Sequence, residues 1–189
     1  LYQKLTLKSA KHSEEIKHIL HHAIKACEGN VDRVHLINRH IDGAILQELF
    51  THNGIGCMIS QASLQTLRKA GIEDVGGILQ LIEPLEAEGV LVRRSRELLE
   101  IEIERFVILE HDGMMIGCAA IYPFSDENAC ELACLAVHPD YRNTGYGSLL
   151  LKQIEAETVT YGYKKIFVLT THAAHWFIEH GFTETKLTE

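Results

Sequence analysis

The segment from Leu135 to Gly147 has the residue types and spacing of an anion-binding turn. An apolar stretch ends at Val137, and a turn that carries Gly145 and Gly147 leads into a segment with helical periodicity. The first backbone N–H groups of a helix have no intrahelical partner, and the helix dipole adds partial positive charge there. Because glycine lets the backbone approach a ligand closely, phosphate oxygens could bind at this point. An ordinary strand-to-helix connection has the same spacing, so the turn by itself leaves both interpretations open.

The elements that would position this turn follow from the hydrophobic periodicity on both sides of it. From residue 64 onward the patterns predict one strand, two helices, three strands, a helix, a strand and a helix. The stretch Cys130–Val137 is predominantly apolar and therefore predicts a strand in the interior of a sheet. The predicted strands are Leu64–Lys69, Phe106–Glu110, Met114–Tyr122, Cys130–Val137 and Lys165–Thr170, and the predicted helices are 74–87, 95–104, Gly145–Tyr161 and Ala173–His180.

Local signals set the ends of several of these elements. Asp74 and Ser95 are N-cap candidates for the first two helices. Pro84 predicts a kink or a split in the first of them, because its ring removes a backbone donor. The Asp112-Gly113 pair predicts a β-hairpin between the two strands that flank it.

The first 63 residues contain a shorter set of elements. His18, His21 and His22 lie on one face of the first predicted helix, for which Ser13 is an N-cap candidate. These histidines could bind a metal ion, but without a carboxylate or cysteine partner a solvated face is the favoured interpretation. The elements are a helix over 13–28, a strand over Val34–Asn38, a helix over Ala44–Phe50, and a turn at 52–54 that leads into the apolar run Ile55–Ile59.

Composition and charge exclude several classes of protein. The 189 residues include 18 Lys+Arg and 26 Asp+Glu, which gives a formal net charge of -8. This balance argues against a nucleic-acid-binding face, which is normally basic. The 46% hydrophobic and 23% charged residues exclude a disordered or collagen-like chain. The apolar run Met114–Tyr122 is far shorter than the ~20 residues that a membrane-spanning helix needs.

The cysteines indicate a reducing compartment. They are odd in number and scattered through apolar stretches, which predicts free thiols and a cytoplasmic protein. Cys130 and Cys134 are spaced so that they could begin a metal site, but no second cysteine pair accompanies them. We therefore expect buried thiols and no metal. The five cysteines are Cys27, Cys57, Cys118, Cys130 and Cys134.

Arg142 extends the glycine turn into a longer pattern, Arg142-x-x-Gly145-x-Gly147. It follows an apolar strand that ends in Val137-His138-Pro139, and the strand Ile166–Thr170 and the sequence Glu179-His180-Gly181-Phe182 come after it. Together these motifs resemble the acyl-CoA pyrophosphate loop and the next two elements of the GNAT superfamily of N-acetyltransferases. The resemblance implies an α/β fold with a mixed central sheet, splayed strands and flanking helices, the GNAT acyl-CoA N-acyltransferase fold.

Further blocks narrow the resemblance within the superfamily. The blocks 89–96, 131–139 and 167–171 are similar to members that acetylate L-glutamate, and residues 35–56 are similar to the end of an amino-acid-kinase-like domain. This implies that residues 1–63 are the remnant of an arginine-sensing, kinase-like α/β domain and that 64–189 are the acetyltransferase domain. The family's later substrate-binding arginines follow the Gly-Phe pair, whereas no Lys or Arg follows Lys186 here. We therefore expect a domain that is short at its C-terminus, binds acetyl-CoA and acetylates glutamate poorly.

The resemblance also implies which residues bind the co-substrate, acetyl-CoA. The backbone of Cys134, Leu135 and Val137 would pair with the pantetheine arm as though it were an added strand. A gap between this strand and the strand Ile166–Thr170 would admit the arm. The pyrophosphate would bind at the glycine turn, which comprises Arg142, Asn143, Thr144, Gly145, Tyr146 and Gly147.

Acetyl transfer to an α-amine needs a base, a partner for the oxyanion and a group that handles the departing thiolate. Glu131 is the candidate base, acting directly or through water, because it begins an otherwise apolar strand where a raised pKa is expected. A solvated acid at the strand end is the alternative interpretation. The amide of Cys134 is the candidate partner for the oxyanion. By resemblance Thr170 serves the thiolate, because Phe177 stands where many family members have a tyrosine.

Substrate binding is expected at Leu91, Arg93 and Cys134. Arg93 and Arg94 both precede a predicted helix, and a guanidinium can form a bidentate pair with a carboxylate. The resemblance favours Arg93, and a solvated basic cluster is the alternative interpretation of this pair.

The implied function is transfer of acetyl from acetyl-CoA to the α-amino group of L-glutamate, the first step of arginine biosynthesis. L-arginine would be a feedback inhibitor of the full-length enzyme, which would assemble as a homo-oligomer. Two other functions stay open at this point. One is a GNAT acetyltransferase for another amine, such as an amino acid or a protein N-terminus. The other is a non-catalytic module that binds acetyl-CoA or relays arginine control.

Overall fold

The structure is a computed structural model that describes residues 14–51 and 54–185. The chain divides into two units between Leu64 and Gln65. Within the described residues, the first unit contains α1 (Glu14–Glu28), β1 (Arg33–Leu36), α2 (Ala44–Phe50) and β2 (Cys57–Ser60). The two strands pair in antiparallel fashion, with Val34 opposite Ile59.

The predictions for the first unit are correct in element type and less so in bounds. The helix α2 has the predicted bounds, whereas β1 is shorter than the predicted Val34–Asn38 and begins one residue earlier. Ser13, His52 and Asn53, which were expected to form a cap and a turn, lie outside the described residues. Within residues 14–51 and 54–185, no group of three or more His, Cys, Asp or Glu side chains could hold a metal ion.

The second unit is built on a mixed five-stranded sheet in the order β3-β4-β5-β6-β7. The first four strands pair with one another in antiparallel fashion, and β7 is parallel to β6. This agrees with the mixed sheet predicted from the sequence. The strands are β3 (Gln65–Lys69), β4 (Phe106–His111), β5 (Met114–Phe124), β6 (Ala129–Val137) and β7 (Lys165–Phe167); the helices are α3 (Val75–Ala87), α4 (Arg96–Glu102), α5 (Tyr146–Thr160) and α6 (Ala174–Glu179).

Helices cover both faces of this sheet, and successive residues of its strands alternate between the two layers. Phe106 and Ile108 of β4 are buried in a cluster with residues of α3 and α4. Val107 and Leu109 of the same strand are buried in a second cluster with residues of α5 and α6. A period of two along the strand produces this division, because neighbouring side chains point to opposite faces. The result is a three-layer domain with the sheet in the middle.

Two local predictions in this unit are confirmed. Ser95 caps α4, since its hydroxyl accepts a hydrogen bond from the Leu98 N–H at 3.2 Å. Asp112 and Gly113 join β4 to β5 with φ angles of 50° and 77°. Two successive residues with positive φ form the hairpin turn whose twist matches that of the flanking strands.

Two other local predictions, a split at Pro84 and a capping bond from Asp74, are wrong. The helix α3 runs through Pro84 without a split, because only three helical residues follow the proline and one lost backbone bond there leaves the preceding turns intact. Asp74 precedes α3 but does not cap it. Its carboxylate instead accepts two hydrogen bonds from Arg68, at 2.7 and 2.9 Å, and one from the Gly71 N–H. The ion pair with Arg68 therefore determines the position of this side chain.

The helices that the structure describes, over residues 14–51 and 54–185, include none that is long and apolar enough to cross a membrane.

Candidate functional site

The separation of β7 from β6 creates a cleft in the second unit. The parallel pairing extends only from Ala129 to Glu131 on β6, where it meets Lys165 to Phe167. The strand predicted over Lys165–Thr170 is therefore wrong in its second half, because the strand and its pairing with β6 end at Phe167. A cleft of about 500 Å³ lies along the unpaired part of β6. A strand edge without a partner presents free N–H and C=O groups, so an extended ligand can bind there as an added strand.

A β-bulge interrupts β6 within this cleft. Cys118 lies opposite Ala136 and Ala120 opposite Ala133, so two residues of β6 face one residue of β5. One of the two, Cys134, has a φ of 52°, a conformation that residues other than glycine rarely adopt. Bulges of this kind redirect backbone groups and often lie next to active sites. The Cys134 backbone is therefore a suitable candidate for binding an oxyanion.

The thiol of Cys134 itself is not activated as a nucleophile. Burial raises its pKa to about 11, and the positive charge of Arg94 only partly opposes this effect. The thiol is thus protonated at neutral pH, and thiolate is the form that acts as a nucleophile. This side chain packs against the core as a small apolar group, as was expected for Cys130 and Cys134, whereas Cys57 is exposed.

The glycine turn forms the other end of the cleft. Gly145 has a φ of 91° and precedes the first turn of α5, and no side chain caps the helix. The N–H groups of that first turn are therefore available to an anion. Arg142 is held beside them, with its Nε 3.3 Å from the carbonyl oxygen of Val137. The turn predicted from the glycine spacing is present and opens onto the cleft.

A pair of polar side chains supports this end of the cleft. The Nδ1 atom of His180 lies 2.8 Å from the carbonyl oxygen of Trp176 and must donate to it, because a carbonyl only accepts. The Nε2 atom of His180 then accepts from the hydroxyl of Ser148 at 2.7 Å. The indole of Trp176 stacks on His180, and a Cβ atom at Gly147 would lie 3.3 Å from the indole ring. Gly147 therefore permits a close approach between α5 and α6.

Glu131 lies where the pairing with β7 ends, and its side chain is partly exposed in the cleft. Burial raises the pKa of this carboxyl group above its usual value, while the positive charge of Arg94 opposes the increase. Tyr122 is the residue directly across on β5. A carboxylate with a raised pKa, reachable from the cleft, can accept a proton from a bound amine.

Thr170 faces the cleft beyond the end of β7. Its hydroxyl oxygen accepts a hydrogen bond from the Ala173 N–H at 3.0 Å, which leaves the O–H free to donate. Phe177 is buried and also lines the cleft. Its ring carries no hydroxyl, so it supplies no proton to a departing thiolate.

Most of the site residues predicted from the sequence come together in this cleft, and three do not. Arg93 is exposed and does not line it, and neither do Thr144 and Tyr146. The Tyr146 hydroxyl accepts from Gln65 at 3.0 Å, so its side chain points away from the cleft. The predicted residues that line the cleft are Leu91, Glu131, Cys134, Leu135, Val137, Arg142, Asn143, Gly145, Gly147 and Thr170.

The sequence named Arg94 beside Arg93 as a candidate, but the resemblance favoured Arg93, whereas Arg94 is the one that lines the cleft. Its side chain is half-buried and lines the cleft near Glu131 and Cys134, on whose pKa values its charge acts. Burial alone would lower the pKa of Arg94, but Cys134, Tyr122 and Glu102 raise it above its usual value. Ser148 and Trp176 were not predicted from the sequence, since their roles depend on the approach of α6 to α5.

Comparison with known proteins defines the class of this domain. Residues 102–184 match the model of the acetyltransferase (GNAT) domain. These residues include the sheet from β4 to β7, the bulge, the glycine turn and α5. The second unit therefore contains a GNAT acetyltransferase domain, as the motifs predicted.

The curated relatives of the chain indicate which kind of acetyltransferase it resembles. The chain is 58% identical to an amino-acid acetyltransferase of Shewanella oneidensis over 160 residues, which are 85% of this chain and 36% of that protein. It is 51% identical to the amino-acid acetyltransferase of Serratia proteamaculans over 176 residues, 93% of this chain and 40% of that protein. The chain thus spans well under half the length of these curated relatives.

Solved structures point to the same group. N-acetylglutamate synthase from Neisseria gonorrhoeae, complexed with coenzyme A and L-arginine, is 39% identical with a TM-score of 0.81, and the match covers 100% of this chain and 44% of that one. The same enzyme complexed with coenzyme A and N-acetyl-glutamate is 40% identical with a TM-score of 0.64, over 98% of this chain and 44% of that one. These structures confirm the resemblance to N-acetylglutamate synthase that the sequence blocks 89–96, 131–139 and 167–171 indicated.

Proposed function

We propose that this chain contributes the catalytic domain of an acetyl-CoA-dependent N-acetyltransferase that acetylates the α-amino group of L-glutamate. This reaction would be the first step of arginine biosynthesis. One observation carries the proposal: a single cleft connects the unpaired edge of β6, the uncapped start of α5 and the carboxyl group of Glu131. The names of the curated relatives support amino-acid acetylation, and the neighbour complexed with N-acetyl-glutamate supports glutamate.

The two ends of the cleft suit the two ends of acetyl-CoA. The pantetheine arm would pair with the backbone of Cys134, Leu135 and Val137, where β6 lacks a neighbour. The pyrophosphate would accept hydrogen bonds from the first N–H groups of α5 and from Arg142. These local donors explain how a chain with a net charge of -8 can bind a polyanion.

The chemistry then uses three residues of the cleft. Glu131 takes a proton from the α-ammonium of the substrate, directly or through water. The free amine attacks the thioester carbonyl, and the Cys134 N–H donates to the oxygen on which negative charge develops. Collapse of the tetrahedral intermediate breaks the C–S bond, and the nitrogen loses its extra proton to solvent, which leaves the neutral amide. Thr170 donates a hydrogen bond to the departing thiolate, which takes up a proton from solvent. Leu91, which lines the same cleft, would contact the acceptor.

The remaining parts of the proposal concern the whole protein. We assign residues 1–63 to the end of an amino-acid-kinase-like domain that senses L-arginine, and residues 64–189 to the acetyltransferase domain. The neighbour complexed with L-arginine supports feedback inhibition and covers this chain completely. All five cysteines are free thiols, which fits a reducing compartment, the cytoplasm. Assembly into a homo-oligomer and a contact of Arg93 with substrate also belong to this proposal.

Release of the CoA thiol over a panel of amine acceptors tests the function. We expect L-glutamate to give the highest kcat/KM, with L-aspartate, L-glutamine, L-lysine and a peptide with a free N-terminus as competitors. A preference for the peptide or for lysine would refute glutamate and favour an acetyltransferase for another amine. Tight binding of CoA in titration calorimetry without turnover of any acceptor, in the full-length protein as well, would favour a non-catalytic module.

A further inference from the structure

The hydrogen bonds between α5 and α6 include one histidine that the proposed chemistry does not use. His180, at the end of α6, bonds to Ser148 of α5, and the side chain of Ser148 lines the cleft. We propose that His180 takes up a proton when the pyrophosphate of acetyl-CoA binds, and that its protonated ring releases the Ser148 hydroxyl to donate to the anion. His180 is thus a positioning residue that makes co-substrate binding depend on pH. This inference rests on the proposed binding of the pyrophosphate at the glycine turn.

The neutral ring of His180 occupies the hydrogen of the Ser148 hydroxyl. The Trp176 carbonyl oxygen lies 2.8 Å from Nδ1 and can only accept, so Nδ1 carries a hydrogen. In the neutral ring Nε2 then carries none and accepts from the Ser148 hydroxyl at 2.7 Å. A serine hydroxyl has a single hydrogen, and here the imidazole uses it. The Ser148 oxygen therefore has only lone pairs to present to the cleft, and these repel phosphate oxygens.

Protonation of Nε2 reverses this hydrogen bond without requiring either heavy atom to move. The protonated ring donates through both nitrogens, so the Nε2–H group points at Ser148 Oγ over the same 2.7 Å. The serine hydrogen is then free to turn toward a phosphate oxygen in the cleft. Two changes favour the anion together, because a donor replaces a pair of acceptors and a positive charge arises behind it. Histidine suits this task because its charge ordinarily changes between about pH 5 and 8.

Ser148 lies in the part of the cleft where the pyrophosphate is proposed to bind. It is the third residue of α5, within the first turn, whose N–H groups have no intrahelical partner. Its side chain lines the same cleft as Arg142 and Gly145. The indole of Trp176 stacks on the imidazole, with the ring centroids 4.0 Å apart. Because His180 is held between Ser148 and Trp176, its ring can change charge and stay in place.

The charged groups of the neighbouring elements act on His180 in both directions. The acids favour the protonated ring and the bases oppose it, and all of these groups are exposed, so that solvent screens them. A bound polyanion is therefore the largest change of charge beside the ring. The groups are Glu179 on α6, Glu184 in the segment that follows it, Lys152 on α5 and Arg142 in the glycine turn.

The single tryptophan of the chain gives a direct readout of this proton. Trp176 stacks on His180, and a protonated imidazole quenches indole fluorescence more strongly than a neutral one does. The ligand for the test is dephospho-CoA, which keeps the pyrophosphate but lacks the 3′-phosphate, a group that itself titrates near pH 6. We expect the fluorescence to decrease as the pH falls. Saturating dephospho-CoA should move the midpoint of this titration to higher pH by about half a unit to one unit.

Calorimetry measures the same coupling from the side of the ligand, because linkage is reciprocal. Dephospho-CoA should bind about two- to sixfold more tightly at about pH 6.3 than at about pH 8.5, with net uptake of protons from the buffer. In His180→Gln the fluorescence titration and this pH dependence should both disappear, while the Kd at about pH 8.5 stays within about twofold of the wild type. Ser148→Ala should keep the fluorescence titration but lose most of the effect of the ligand on its midpoint.

His175→Gln is the matched control, because His175 precedes Trp176 on the same helix but is exposed and pairs with Glu179. It should behave as the wild type does. If His175→Gln abolishes the fluorescence titration and His180→Gln does not, or if His180→Gln keeps the wild-type pH dependence of binding, the inference is wrong. A wild-type midpoint that dephospho-CoA leaves unchanged overturns it as well, even if His180→Gln proves unstable, while the proposed function stands. If neither CoA nor dephospho-CoA binds at any pH, the proposed function fails and this inference fails with it.

Discussion

Replacement of Glu131 by glutamine is the most direct test of the proposed chemistry. Glutamine has nearly the same shape, but it cannot accept a proton from the substrate ammonium. A positioned general base usually contributes about 10²–10⁴-fold to a rate. Because Glu131 is only partly buried and its cleft is open to water, water can replace it in part. We therefore expect kcat to fall by about 100- to 1,000-fold, which is the lower part of that range.

The pH dependence gives a second readout of the same substitution. Burial raises the pKa of Glu131 above its usual value of 4.5, and Arg94 opposes the increase. Below this pKa the carboxyl group is protonated and cannot act as a base, so the wild-type kcat/KM should fall as the pH falls through it. In Glu131→Gln this acidic limb should be absent, while the dependence on the substrate ammonium remains.

Stability and binding measurements separate a lost base from a damaged fold. The folded state favours the protonated form of Glu131, so the ionised carboxylate destabilises the fold at neutral pH. Glu131→Gln should therefore have a Tm equal to or above that of the wild type, and its Kd for CoA should be unchanged. Glu127→Gln, at an exposed acid just before β6, is the control and should keep full activity. Activity of Glu131→Gln within threefold of the wild type, with the same acidic limb, would refute the role of Glu131.

Three further predictions concern the scaffold. Gly145→Ala should lower stability by about 1–2 kcal/mol, since its φ is 91°, and should weaken CoA binding in calorimetry; an unchanged Kd would contradict the role of this turn. Ser95→Ala loses the bond to the Leu98 N–H and should cost about 1 kcal/mol in urea unfolding, whereas an unchanged midpoint would show that the cap is unimportant. The hydrogen bonds from Arg68 lower the pKa of Asp74 and burial raises it, and the net pKa lies below its usual 3.8. The stability that ionised Asp74 contributes is thus present above pH 3.8 and lost as the pH falls through the lower folded pKa, and Asp74→Asn should show less of this acid dependence in thermal unfolding.

Much of the second unit could be predicted from local sequence signals. The order of its strands and helices follows from hydrophobic periodicity, and Ser95, the Asp112-Gly113 pair and Gly145 mark boundaries that the structure confirms. These signals succeed because capping and positive φ angles depend on a few neighbouring residues. The side chain of Asp74 does not cap α3 for the opposite reason: its carboxylate binds Arg68, which lies on another element, and the Gly71 N–H, which precedes the helix.

The sequence by itself determined the class of domain and where its anion-binding turn lies, because both depend on residues close together in the chain. Only the tertiary structure decided how the cleft is completed. The end of β7 at Phe167 and the bulge at Cys134 result from the way neighbouring strands pair, and hydrophobic patterns do not encode that geometry. The choice between Arg93 and Arg94 as the guanidinium that lines the cleft was likewise settled by packing. Adjacent residues leave a loop in different directions, and contacts with Tyr122 and Val92 from outside the pair hold Arg94 at the cleft.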